Sequence, residues 1–230
     1  MERKLNIRVR KDFDIFKSII NQAKYLDSGA SKEAYTKDGI CYKIPIGYEE
    51  LDSDSFTTFV EYPYTLKEYE DFINHTVSYY HESLVWSVGQ IIFEIIIWEH
   101  LKELEAQGYD ISGFAAIKDY YIDCNGIPVI EQEYVYRDKD MTIDLDIPCG
   151  QVFRDQNKNT LNALAEMGFM LTDLRGGNMA YDNNDKLKCF DFGISSDSVI
   201  YDYDTYDNCN SNYSSDYYSK NEECKTSIDF

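Results

Sequence analysis

Residues 161–195 read LNALAEMGFMLTDLRGGNMAYDNNDKLKCFDFGIS. A helical pattern beginning near residue 156 runs to Met167 and stops at Gly168, the residue type that ends helices in the left-handed conformation. Beyond it, Asp173 is followed five residues later by Asn178, and thirteen residues after that by Asp191 within Asp191-Phe192-Gly193. Short strand-like runs flank the turn signal Asn183-Asn184-Asp185. This pattern predicts Asp173 and Asn178 on one loop and Asp191 at the end of the following strand, so that all three converge on one point.

Two carboxylates and an amide at one point suit phosphoryl transfer. That reaction asks little covalent chemistry of a protein. It needs a carboxylate to orient an attacking hydroxyl and accept its proton, and hard oxygen ligands for the Mg²⁺ that bridges the β- and γ-phosphates. The run resembles the catalytic loop and D-F-G segment of eukaryotic-type protein kinases. By that resemblance Asp173 is the catalytic base, Asn178 and Asp191 are Mg²⁺ ligands, and Arg175 takes the place of a family lysine that neutralises the γ-phosphate. Leu171 and Thr172 stand where the family has His and Arg, which removes the usual partner of a phosphorylated activation loop. The resemblance implies an α+β, two-lobed fold with a β-rich N-lobe (1–135) and a truncated α-rich C-lobe (136–196).

The first lobe should then supply a phosphate-covering loop, a strand lysine and a helix glutamate. Leu26–Ser31 lies where the loop belongs and keeps one glycine, Gly29, with Ser31 beside it. Lys37-Asp38-Gly39 is a hairpin turn signal, and Lys43 falls in the strand-like run after it. Its role by resemblance is contact with the α- and β-phosphates. Residues 87–106 carry the strongest helix signal of the first half. Glu94 is the only polar residue of the eight in Ile91–Trp98, so its own face is expected to be buried. An unpartnered buried carboxylate costs several kcal/mol, roughly, and pairing with Lys43 removes that cost. Glu99 is the competing carboxylate, but it opens a polar run and reads as solvent-facing. Strand-like runs at 115–123 and 127–136 flank Cys124-Asn125-Gly126, and the second resembles the strand leading into the hinge. There backbone groups near Glu133 and Val135 would hold the adenine of ATP, with Gln132 beside it.

Elsewhere the sequence predicts a helix over residues 12–25, an acidic and aromatic insertion at about 47–84 with a helix near 66–79, and an Asp-rich linker broken by Pro148 and Gly150. Residues 197–230 carry six Tyr and eight acidic residues against two lysines, and read as a mostly disordered tail. Thirty-seven residues follow Gly193, with no A-P-E sequence among them, so the peptide-docking helices of the family are not expected. The formal net charge of -20 argues against nucleic-acid and anionic-membrane partners, and requires a nucleotide site to gather its positive charge from a few side chains and metal. Six cysteines without a C-x-x-C pair suggest neither zinc nor a disulfide framework. The N-terminus lacks an apolar segment, and Ile91–Trp98 is too short to span a bilayer, so a cytoplasmic protein is expected. Three functions fit these residues: a kinase acting on Ser or Thr of a protein or of its own tail, a pseudokinase-like nucleotide- or protein-binding module, and a small-molecule phosphotransferase.

Overall fold

The computed structural model describes residues 4–51, 59–76, 82–135, 149–171, 173, 174, 176–182, 184 and 186–192. In chain order the elements are β1 (Leu5–Arg8), α1 (Ile15–Ser18), β2 (Lys24–Ser28), β3 (Lys32–Lys37), β4 (Ile40–Pro45), β5 (Phe59–Tyr62), α2 (Leu66–Thr76), α3 (Glu82–Ala106), β6 (Ile117–Ile122), β7 (Pro128–Glu133), α4 (Cys149–Gln156), α5 (Lys158–Glu166), β8 (Met179–Tyr181) and β9 (Leu187–Cys189). The fold is mixed α+β, with a sheet-rich N-terminal part and helices after it. The tail at 197–230, Arg175 and most of the Asp-rich linker lie outside the described residues.

Five strands form an antiparallel sheet in the order β2-β3-β4-β7-β6. The two-residue turn Asp38-Gly39, both with positive φ, joins β3 to β4 and sets their register, Ala34 opposite Lys43. Lys43 therefore stands on the middle strand. α3 packs across β3, β4, β6 and β7. Its apolar residues are spread around the whole circumference, as in a helix buried on every side. Ile91, Ile92, Ile95, Ile96 and Ile97 are all fully buried. The helix is longer than the apolar run alone suggests: Leu84–Ala106 would reach across a bilayer by length and composition. Protein covers 83% of its apolar window, so that surface is already used in the core.

The helix expected over 12–25 is one turn only. Asp14 caps it by accepting the Lys17 N–H, and the chain then passes through a 3-10 turn into β2. The helically spaced Phe13, Phe16, Ile19 and Ile20 are apolar because they pack with Tyr42, Ile44 and Val129 of the sheet. β1 and β5 pair antiparallel, so the region expected to be an insertion at about 47–84 contains a strand, Phe59–Tyr62, that pairs with the N-terminal segment. α2 agrees with the helix expected there. Thr65 and Glu68 form a reciprocal cap at its start, the Thr65 hydroxyl accepting the Glu68 N–H at 3.2 Å and the Glu68 carboxylate the Thr65 N–H at 3.0 Å.

Gly150, expected to break a linker, lies inside α4. A Cβ at this position would stand 2.1 Å from the Leu174 carbonyl oxygen, so glycine is what allows α4 to press against the loop that begins at Asp173. Gly150→Ala is expected to destabilise the protein by roughly 1–3 kcal/mol, since either the helix or the loop must move. Urea denaturation measures this, and an unchanged midpoint would contradict the close approach. Farther along, Gly168 has φ +91 and ends the second helix of this pair as its position in sequence predicts.

Candidate active site

Glu94 is at the centre of a buried ionic cluster, itself 0% exposed. Lys43 Nζ donates to Glu94 Oε1 at 2.6 Å. The other oxygen, Oε2, accepts from Lys32 Nζ at 2.9 Å. Lys32 Nζ also donates to Asp191 Oδ1 at 2.5 Å. Both lysines are buried, at 7% exposed for Lys32 and 4% for Lys43. Burial works against the charged form of Lys32, but the Asp191 and Glu94 carboxylates outweigh it and hold the ammonium above its ordinary range. Glu99, on the same helix, is directed elsewhere. It accepts from the Tyr120 hydroxyl at 2.9 Å and pairs with Lys102 at 2.6 Å. At 17% side-chain exposure it is more covered than its polar surroundings in sequence predict.

The second group of predicted residues joins this cluster through Phe190. Asn178 Nδ2 donates to the Asp173 backbone oxygen at 2.8 Å and to Asp173 Oδ2 at 2.9 Å, which closes the loop between them. The Phe190 N–H donates to Asn178 O at 2.9 Å, and the Phe190 carbonyl accepts from Lys43 Nζ. β8 and β9 bring these residues together by pairing Met179 with Cys189. Cys189 Sγ then donates to Asp191 O at 3.1 Å. Burial pushes the Cys41 and Cys189 thiols up, so both stay neutral beside the charges. Phe192 is fully buried, with its ring edge-on to Phe114 at 5.5 Å. Asp191 is thus fixed from both sides, by a buried ring after it and a paired strand before it.

The remaining predicted residues lie around this cluster. Gly29 closes the β2–β3 turn, its N–H donating to Lys32 O at 2.9 Å, and Ser31 O accepts from the Ile46 N–H at 3.0 Å. These bonds hold the candidate phosphate loop as a tight turn. Glu133 ends β7 and pairs with Lys188 of β9, while its N–H donates to Ala116 O at 2.8 Å. Val135 packs with Ala115, Ala180 and Phe190. Gln132 is fully buried; its Nε2 donates to Ala115 O at 3.1 Å and its Oε1 has no hydrogen-bond partner among the described residues. Among the described residues no group of three or more His, Cys, Asp and Glu side chains is arranged to hold a metal unaided. A surface hollow edged by Tyr109, Asn162 and Glu166 contains none of the predicted residues. Cys41, Cys124 and Cys189 are free thiols.

No family model matches the chain, and no curated protein matches it. Lys32 is the residue that sequence reading missed. It opens β3 directly after the Gly29–Ser31 turn, where a lysine reads as an ordinary strand-end charge. Its partners stand 62 and 159 residues away, so no local pattern announces them.

Proposed function

We propose that the chain is an ATP- and Mg²⁺-dependent phosphotransferase of the protein-kinase-like class, transferring the γ-phosphoryl group to a hydroxyl, with protein Ser or Thr as the acceptor. The observation that carries this reading is the Lys43–Glu94 pair hydrogen-bonded to the backbone immediately before Asp191. In kinases a strand lysine held by a helix glutamate, and a D-F-G aspartate, must both be in position for transfer. Here one bond from Lys43 to Phe190 O ties the two together. The sheet with α3 would form the first lobe, and residues 136–196 a short second one.

The oxygen donors fit Mg²⁺, which is bound through one or two carboxylates and takes its other ligands from phosphates and water. Asp191 and the amide oxygen of Asn178 would hold it, and it would supply charge neutralisation across the β- and γ-phosphates. Asp173 would orient the acceptor hydroxyl and take its proton. Lys43 would hold the α- and β-phosphates, Arg175 would neutralise the γ-phosphate, and backbone groups of Glu133–Val135 would hold the adenine. The Gly29–Ser31 turn would cover the phosphates.

A second reading, a nucleotide-holding module without transfer, draws support from the Lys32–Asp191 bond, since the metal-binding carboxylate already carries a counter-charge. Incubation of the full chain with Mg²⁺ and γ-labelled ATP separates the readings. Mass spectrometry then locates the label on the tail, on added proteins or on small hydroxyl compounds. Label on Ser or Thr is the expected result. Label confined to small molecules would redirect the assignment to a small-molecule phosphotransferase. Nucleotide binding without label would favour the module, and neither binding nor label would sink the nucleotide reading altogether.

A further inference from the structure

We propose that Lys32 is a second phosphate-holding lysine, working with Lys43 at the nucleotide site; the proposal rests on the phosphotransferase reading and deepens it. Glu94 divides its two oxygens between the two ammonium groups, Oε1 to Lys43 and Oε2 to Lys32. The two cations are therefore neighbours on one carboxylate. A single lysine would satisfy Glu94. A second buried ammonium adds a desolvation cost, and here Asp191 supplies the charge that offsets it. The four groups Lys32, Lys43, Glu94 and Asp191 sum to zero charge. Mg²⁺ on Asp191 would leave the cluster with an excess of positive charge, and an oligophosphate is the ligand chemistry that neutralises it.

Lys32 is built for that exchange. Its backbone oxygen accepts the Gly29 N–H and so closes the turn expected to cover the phosphates, while its side chain reaches the metal-binding aspartate. An ammonium has three donors, of which Glu94 and Asp191 take two. With Asp191 engaged by Mg²⁺, Glu94 would keep Lys32 in position and the remaining donors of Lys32 would be available to the phosphate chain. In a protein of net charge -20, two lysines at one point also provide the local positive charge that a nucleotide requires.

Equilibrium binding of MgATP and of adenosine to the full-length wild type, Lys32→Met and Lys32→Arg tests this. Lys32→Met is expected to weaken MgATP binding roughly ten- to hundred-fold and to leave adenosine binding unchanged, because only the phosphates lose a partner. Lys32→Arg keeps the charge and should retain most of the affinity. A second measurement uses the wild type alone, with ATP acylated on its terminal phosphate. A lysine beside the phosphate chain, after giving a proton to water, attacks the acyl carbon as the neutral amine. The new C–N amide bond forms as the acyl–oxygen bond breaks, the nitrogen releases a second proton to solvent, and ATP leaves. Peptide mapping should find the acyl group on both Lys32 and Lys43, with excess MgATP protecting both. Acylation of Lys43 alone, or wild-type MgATP affinity in Lys32→Met, overturns the proposal while leaving the phosphotransferase reading intact. A wild type that binds neither MgATP nor adenosine overturns both. Should Lys32→Met fail to fold, the wild-type acylation map decides.

Discussion

On the phosphotransferase reading, Asp173→Asn is expected to remove γ-phosphoryl transfer and leave MgATP binding near the wild-type level. Asn has the size and shape of Asp but cannot accept the proton of an attacking hydroxyl, and general-base catalysis is worth about 10²–10⁴-fold in rate. The loop should survive the change. One of the two bonds from Asn178 goes to the Asp173 backbone oxygen, which the substitution does not touch. The other goes to Oδ2, which an amide oxygen can replace as acceptor. The loss should therefore fall on kcat, with the binding constant for MgATP preserved, as for a group that acts in the transition state alone. Rates of γ-phosphate transfer set beside calorimetric MgATP titrations measure the two separately. Equal rates for mutant and wild type would remove Asp173 from the role of base.

Much of this site was legible because its parts obey local rules. The Asp173–Asn178 interval fits one closed loop, and Asn178 does bridge it. Glu94 was conspicuous because a lone carboxylate among isoleucines must find a cation, and among the described residues Lys43 is one of two that reach it. What escaped was set by tertiary packing. β1 and β5 are four residues each and become strands only by pairing with one another. The apolar spacing of residues 13–20 reports burial against the sheet, which a helical reading cannot distinguish from a long helix. Gly150 suggested a break, yet its missing Cβ makes room for the Leu174 carbonyl. Lys32 has no sequence signal at all, since its burial comes from α3 and the Asp191 segment meeting over the end of β3.

The second large effect concerns stability. Glu94→Leu should destabilise the protein by about 3–5 kcal/mol, because it leaves two buried ammonium groups without the carboxylate they share. That is a large part of the ~5–15 kcal/mol that separates folded from unfolded states. In a domain of this size it corresponds to a fall in Tm of roughly 10 °C. The origin of the loss can be isolated. Buried ion clusters replaced as a whole by apolar side chains of similar volume are often neutral or stabilising, whereas removing one partner is costly. The triple variant Lys32→Met, Glu94→Leu, Lys43→Met should therefore recover most of the stability lost in the single variant. Asp191 then stands without Lys32, but its side chain is 28% exposed and water can solvate it. The same triple variant should bind no MgATP, since both lysines are gone. Calorimetric unfolding of the wild type, single and triple variants decides the point. A single variant that melts with the wild type would mean that Glu94 does not compensate the two lysines. A triple variant as unstable as the single one would mean that the loss comes from packing at α3, and that the charges at its centre are held by something other than each other.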